Sequence, residues 1–368
     1  MALRKRAAIA SLIHRAALQS GPVITVRRRW TGDAVSELDR TPHGADAPGA
    51  PRTWCLKALT DIWTGDAERK GDRLIPTGLL GSIRWWFEVV VRGLGGSACD
   101  PTEHQCPDRQ KKLHEAGHHC VVCELFGCTG WARKFRFDVL DGNEQIKTTQ
   151  IKKDNAFKLR FTPLRRIEQE EWALLDLTLR LIAKYGAIGG KTVYKPSDES
   201  ARQSQAHHRD YGIVQINGAP TIEKRKLNQL KAYVSRSEWR TLNHGAYAWA
   251  SLANFWCVPG RYLVRQNGNE STFNRVLGRK EPKNQGQQLR DKAECVDKWL
   301  AGKQQESKKV FSFKDPPRTF GFVKPGVIDF VAMRQRLKQT WSDLKDEEFI
   351  EGPALLDRLL GEGGGATE

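Results

Sequence analysis

Leu74-Ile-Pro-Thr-Gly-Leu-Leu-Gly-Ser-Ile-Arg-Trp-Trp-Phe-Glu-Val-Val-Val-Arg-Gly-Leu-Gly-Gly96 and, further on, Cys120-Val-Val-Cys-Glu-Leu-Phe-Gly-Cys-Thr-Gly-Trp-Ala-Arg-Lys-Phe-Arg-Phe137 decide how this chain is read. The first stretch is a glycine-rich turn that feeds a helix starting at Gly81. Leu79, Ile83, Trp86, Val90 and Leu94 recur at helical spacing and form one buried stripe. Arg84, Glu88 and Arg92 lie four residues apart on another face, and Gly93 to Gly96 stop the helix. The second stretch ends a cluster of Cys and His and opens a basic, aromatic strand.

Working outward, Trp54, Leu56 and Ala58 alternate as one face of a strand ahead of the helix. Strands are expected at 131–140, 145–152 and 156–162. A helix follows from Arg166 to Tyr185, with Gly186 as its stop, and then a strand from Tyr211 to Ile216. Strand, helix, strands, helix, strand is the order of an α+β ferredoxin-like or RRM-like sandwich. Residues 51–220 therefore form one domain, with a Cys/His insertion at 97–128. Residues 1–50, ending in a Pro/Gly/Ala-rich run, are an extension and linker. Residues 221–345 are expected as a second, helix-rich domain, a degenerate second RRM-like unit being the alternative. Its helices fall at 222–240, 244–256, 288–301 and 327–342, its short strands at 309–314 and 318–323, and a mobile polar loop at 266–290. Residues 346–368 read as an acidic tail. Trp-Thr-Gly-Asp-Ala recurs at 30–34 and 63–67, but two copies make no solenoid.

The 368 residues suffice for two domains, and twelve Trp with 39% apolar residues argue against a disordered chain. Sixty Lys and Arg against 43 Asp and Glu leave a formal charge of +17, which favours a polyanionic partner. No window reaches eighteen consecutive apolar residues, so no membrane span is expected. The basic start of the chain is broken by His14 and Arg15 and is too short for an export signal, which points to the cytoplasm.

Five of the eight Cys crowd into thirty residues beside His104, His114, His118 and His119, and in a cytosolic chain that crowding reads as metal rather than disulfide. Cys120 and Cys123 make one half-site and Cys99 with Cys106 the other, for a structural, four-thiolate Zn2+. His104, His118 or His119 can replace one of the first pair, and Cys128 reads as a small buried residue. Thr77-Gly-Leu-Leu-Gly-Ser-Ile-Arg84 puts N–H groups where a helix N-terminus receives phosphate, with an ordinary capped turn as the plain alternative. Tyr185-Gly-Ala-Ile-Gly-Gly-Lys191 is a second glycine loop able to approach a phosphate chain closely. Arg133, Lys134 and Arg136 interleave with aromatic residues as on RNA-binding sheets. No nucleophile elbow, triad order or His-Glu-x-x-His site is present. Asp61 and Asp66, after the first strand, are the only residues singled out for RNA cleavage.

Together, Asp61-Ile-Trp-Thr-Gly65, Pro76 to Phe87, Cys120-x-x-Cys-Glu-Leu-Phe-Gly127 and the glycine loop at 186–190 resemble the RAMP superfamily of CRISPR effector proteins. The Gly-x-x-Gly-Ser-x-Arg-Trp-Trp form, with Phe126-Gly-Cys-Thr-Gly-Trp-Ala-Arg133, is most similar to the first RAMP subunit of the type III-B Cmr complex. The resemblance covers residues 54–216. It implies RRM-like domains that cap a ribonucleoprotein near the 3′ end of the guide RNA and help admit complementary target RNA without cleaving it. Its implied partners are the guide RNA, the target RNA and other RAMP subunits. Gly78, Gly81, Ser82 and Arg84 match the family's first Gly-rich motif, and Gly186, Gly189 and Gly190 its glycine loop. Lys191, Arg133, Lys134 and Arg136 join them on electrostatic grounds. Two alternatives stand beside it: a backbone subunit cutting target RNA with Asp61 or Asp66, and a stand-alone zinc-containing RNA-binding or RNA-processing protein.

Overall fold

In strand β1 (Arg52–Ala58), Trp54, Leu56 and Ala58 turn inward while the residues between them stay half-exposed, the alternation of a sheet packed on one face. The computed structural model describes residues 49–65, 71–100, 105–190, 196–266, 270–279, 295–302 and 306–361. Residues 1–48 of the expected extension, Asp66, His104 and Lys191 lie outside the described residues. β1 pairs antiparallel with β3 (Ala156–Pro163) and β4 (Val214–Gly218), and β2 (Phe135–Leu140) pairs with β3, giving the order β2-β3-β1-β4. Helix α1 (Pro76–Gly93) links β1 to β2 and carries α2 (Val121–Phe126) within the insertion behind it. Helix α3 (Gln169–Tyr185) links β3 to β4. The succession βαββαβ with this strand order is the ferredoxin-like, RRM-like sandwich expected.

Several boundaries move. Helix α1 begins at Pro76, five residues ahead of Gly81, because proline's fixed φ suits a first helical position. Gly78, Gly81 and Ser82 are thus inside the helix. Residues 145–152 form isolated bridges, Leu140 with Ile146 and Arg73 with Thr149, instead of a strand. Glu168 caps α3, whose Glu171 carboxylate accepts the Glu168 N–H at 2.8 Å.

The second half departs further from a helix-rich domain. After α4 (Leu227–Val234), residues expected as a helix at 244–256 form short turns and then β5 (Phe255–Pro259). β6 (Val310–Lys314), β7 (Pro317–Phe322) and β8 (Ile350–Glu351) complete a sheet of order β6-β7-β5-β8. Helices α5 (Thr272–Val276) and α6 (Cys295–Ala301) precede β6, and α7 (Phe330–Lys338) precedes β8. The strand order repeats that of the first unit, so this is a second RRM-like unit. Part of the loop expected at 266–290 is α5, whose Phe273 and Val276 are buried. Residues 350–361 of the expected acidic tail form β8 and α8 (Gly352–Gly361), with Leu355, Leu356 and Leu359 buried.

β5 is apolar throughout because both its faces are covered. Phe255 and Cys257 join the core around α1 and α3, whereas Trp256 and Val258 face a second core with Phe273, Met333 and Leu337. Trp86 of α1 lies 5.8 Å, ring to ring, from both Phe255 and Phe320, so the first unit's helices sit between the two sheets. No described helix is long and apolar enough to cross a membrane.

Candidate metal centre and glycine loop

Cys99, Cys106, Cys120 and Cys123 are all buried, and their sulfur atoms lie within 4.8 Å of one another. Cys99 Sγ is 3.8 Å from Cys120 Sγ and 3.6 Å from Cys123 Sγ. Sulfurs at about 2.3 Å from a tetrahedral Zn2+ stand about 3.8 Å apart, so the donor set fits that ion. The Cys120 N–H donates to Cys106 Sγ at 3.3 Å, a bond that supports a thiolate. Hydrogen bonds from Cys106 and Cys120 hold the Cys123 thiol well below its ordinary value, while those with Cys106 and Cys123 push Cys120 up. A dication would let all four ionise. Cys128 is half-buried and is not one of the four.

His118 and His119 are occupied elsewhere. His118 and His119 share a hydrogen bond of 2.8 Å between their Nδ1 atoms, and His119 Nε2 lies 2.7 Å from a Glu124 carboxylate oxygen. Glu124 also takes the Lys134 ammonium at 2.6 Å, and Lys134 in turn reaches Glu171 at 2.9 Å. Burial opposes ionisation of Glu124, but the His119 hydrogen bond and Lys134 hold it at about 2. Burial pushes Glu171 up against the pull of Lys134. Lys134 is only 5% exposed and its charge is spent on two carboxylates, so it is corrected from a strand-surface cation to a buried tie between α2, β2 and α3.

Arg84 is likewise redirected. Its Nη2 donates to Cys123 Sγ at 3.2 Å, its Nη1 to the Gly127 carbonyl at 2.9 Å and its Nε to Glu88 at 3.1 Å. Burial alone would lower its pKa, but Cys123 and Glu88 raise it overall. The first Gly-rich motif therefore does not present a cradle. The Gly78 N–H donates to the Ile75 carbonyl, Gly81 lies within the helix, and Ser82 Oγ accepts the Gly189 N–H at 3.0 Å.

That last bond joins the two glycine motifs. The Gly190 N–H donates to the Trp63 carbonyl at 2.8 Å and the Ile188 N–H to the Gly212 carbonyl at 2.8 Å. Gly189 adopts φ +108, and a Cβ there would meet the Trp63 carbonyl oxygen at 2.7 Å. These glycines thus let three loops approach one another, and Gly189 and Gly190 remain half-exposed at the surface. Beside them Asp61 accepts the Lys153 N–H at 2.9 Å and lies 3.6 Å from Lys152 and 3.5 Å from Arg209. On β2, Arg136 is exposed and pairs with Asp138, and Arg133 is half-buried.

Two features were not read from the sequence. Arg92 donates to the carbonyls of Cys99 at 2.7 Å and Ala250 at 3.1 Å; its spacing from Arg84 was visible, but the burial of that face was not. Arg318 of β7 donates to the carbonyls of Ala183 and Gly186, fixing the end of α3 where the glycine loop begins, and no local signal marks it.

The model of the RAMP superfamily matches residues 55–194. No curated protein matches the chain. Among solved structures, Cmr1 from Pyrococcus furiosus in its apo form aligns at 11% identity, over 84% of this chain and 96% of that one, with a TM-score of 0.37. A type III-B Cmr-beta structure bound to cognate target RNA aligns at 10% identity, over 79% and 99%, with a TM-score of 0.42. A Csm3–Csm4 subcomplex of the type III-A CRISPR-Cas interference complex aligns at 15%, over 50% and 93%, with a TM-score of 0.22. The family match takes in most of β1, the first Gly-rich motif, the cysteine cluster and the glycine loop, and over that stretch the chain is similar to the RAMP superfamily.

Proposed function

We propose that this chain is a guide-RNA-binding subunit of a type III-B CRISPR (Cmr) ribonucleoprotein. It caps the complex near the guide RNA 3′ end and helps capture complementary target RNA in antiviral defence, working in the cytoplasm beside other RAMP subunits. The observation that carries this reading is the RAMP match over residues 55–194, which take in all but the last strand of a βαββαβ unit whose glycine loop surfaces next to Lys152, Lys153 and Arg209. Phosphate contacts of that kind position RNA without reading its bases. The RNA contacts we assign are Gly189 and Gly190 with Lys191, and Arg133 and Arg136 at and just before β2; Gly186 is buried and ends α3 beneath them. Gly78, Gly81, Ser82, Arg84 and Lys134 support that surface from within. The four cysteines hold Zn2+ as a closed structural site with no open position for catalysis.

A cleaving backbone subunit is the second reading, since Asp61 does follow β1. Its carboxylate is tied to Lys152, Arg209 and the Lys153 N–H, and the described residues between β2 and β3 include no long hairpin, which favours the cap. Photo-crosslinking in the assembled complex tests the choice, with thiouridine at the guide 3′ end. The cap predicts crosslinks to peptides spanning 186–191; crosslinks to several copies of the chain along the guide, with target cleavage lost in Asp61→Asn, would favour the backbone subunit.

A further inference from the structure

Between α4 and β5 the chain crosses from one unit to the other through Ser235 to Asn254, a segment with only two short helical turns. Backbone groups of such a segment need partners from elsewhere. They find them in the cysteine insertion, whose described residues between α1 and α2 have no regular structure of their own either. The Leu242 N–H donates to Ser97 Oγ at 3.1 Å, the Gly117 N–H to the Glu238 carbonyl at 2.8 Å and the Arg240 N–H to the His119 carbonyl at 2.9 Å. The Arg240 guanidinium donates to the Gln105 carbonyl at 2.6 Å. Two irregular segments therefore complete each other, and the thiol cluster is what closes one of them.

Helix α1 braces the same assembly from behind. Arg84, Glu88 and Arg92 form a ladder along it, with Glu88 3.1 Å from Arg84 and 3.6 Å from Arg92. One end of the ladder reaches Cys123 Sγ, and the other reaches the Cys99 carbonyl and, in the connector, the Ala250 carbonyl. Both halves of the cysteine cluster are thus held by one helix, and the connector hangs from the same ladder. Two cations flank one carboxylate, leaving a net positive charge against a four-thiolate centre. Partners at this distance from the metal orient its ligands and tune its affinity.

We propose that the metal centre clamps the connector between the two units, with Arg84 as a positioning residue of that centre; this rests on the reading that the four cysteines hold a metal. Removing the ion frees the insertion and the connector together, while the sheet of the second unit keeps its own core.

The test is hydrogen exchange on the full chain, loaded with Zn2+ and then stripped by chelator. Exchange is expected to rise several-fold in peptides from 105–119 and from 236–250 in parallel, with β5 to β7 unchanged. Arg84→Gln is expected to weaken Zn2+ binding about 10–100-fold and to shift the thiolate charge-transfer bands of the Co2+-loaded protein. Lys338→Gln, a change at an exposed residue of α7 in the second unit, should leave those bands in place. A chain that takes up Zn2+ but shows no added exchange in 236–250 when stripped overturns the clamp and leaves the metal reading intact. A chain that binds neither Zn2+ nor Co2+ overturns both.

Discussion

Lys134 shows what a basic residue in a strand-like sequence can hide. Its ammonium lies between Glu124 and Glu171, and Glu171 is 1% exposed. Removing one partner of such a pair strands a buried charge, so Lys134→Met should cost about 3–5 kcal/mol in chemical denaturation. Adding Glu171→Gln to that variant should recover part of the loss. Asp210 carries the opposite lesson. Its Oδ2 accepts the N–H groups of Lys314 and Asp315 at 2.9 Å, its Oδ1 has no hydrogen-bond partner, and burial pushes its pKa up to about 6. A carboxyl whose folded pKa exceeds its unfolded one binds its proton more tightly when folded. Its contribution to stability is therefore present below about pH 4 and lost as pH rises through about 6. Asp210→Asn keeps the acceptor and removes that cost. It should stabilise the chain at pH 7.5 by up to about 3 kcal/mol and leave it nearly unchanged at pH 4, measured as thermal unfolding across pH.

At the scale of elements, the end of α3 is fixed by a residue from the other unit. Arg318 donates to the carbonyls of Ala183 and Gly186 at 3.1 and 3.0 Å, satisfying acceptors that a helix C-terminus leaves open. Arg318→Leu should cost about 2–3 kcal/mol and raise hydrogen exchange in the glycine loop, since two buried carbonyls lose their donor. The first unit was largely legible because its strands cover one face and alternate, as Trp54, Leu56 and Ala58 do. β5 was not, because Phe255, Trp256, Cys257 and Val258 are buried on both faces and show no period at all. The start of α1 was written in Pro76, but the glycines after it imitate a turn. Crowding picked out five cysteines, and pairing Cys99 with Cys106 and Cys120 with Cys123 left the four that meet. That Arg84 faces Cys123 depends on how the insertion folds back on α1, which no local pattern records.

On the scale of the whole molecule, two units of the same strand order share a core through Trp85, Trp86, Phe255, Phe320 and Phe322. The formal charge of +17 remains, since the acidic residues near the C-terminus pair with cations of the same unit. Asp343 and Glu348 hold Arg261, Asp346 pairs with Lys338, and Glu351 pairs with Arg334. What had read as a separate acidic tail is therefore part of the second unit's own ion pairing, while beside the glycine loop Lys152 and Arg209 share the single Asp61 carboxylate and Lys153 pairs with Asp315. Affinity purification of the tagged chain from its host, with sequencing of bound RNA and mass spectrometry of bound proteins, tests this account most directly. Uniform short RNAs carrying a repeat-derived 5′ tag, together with other RAMP subunits, are the predicted result; heterogeneous cellular RNA with no stable protein partner would contradict it.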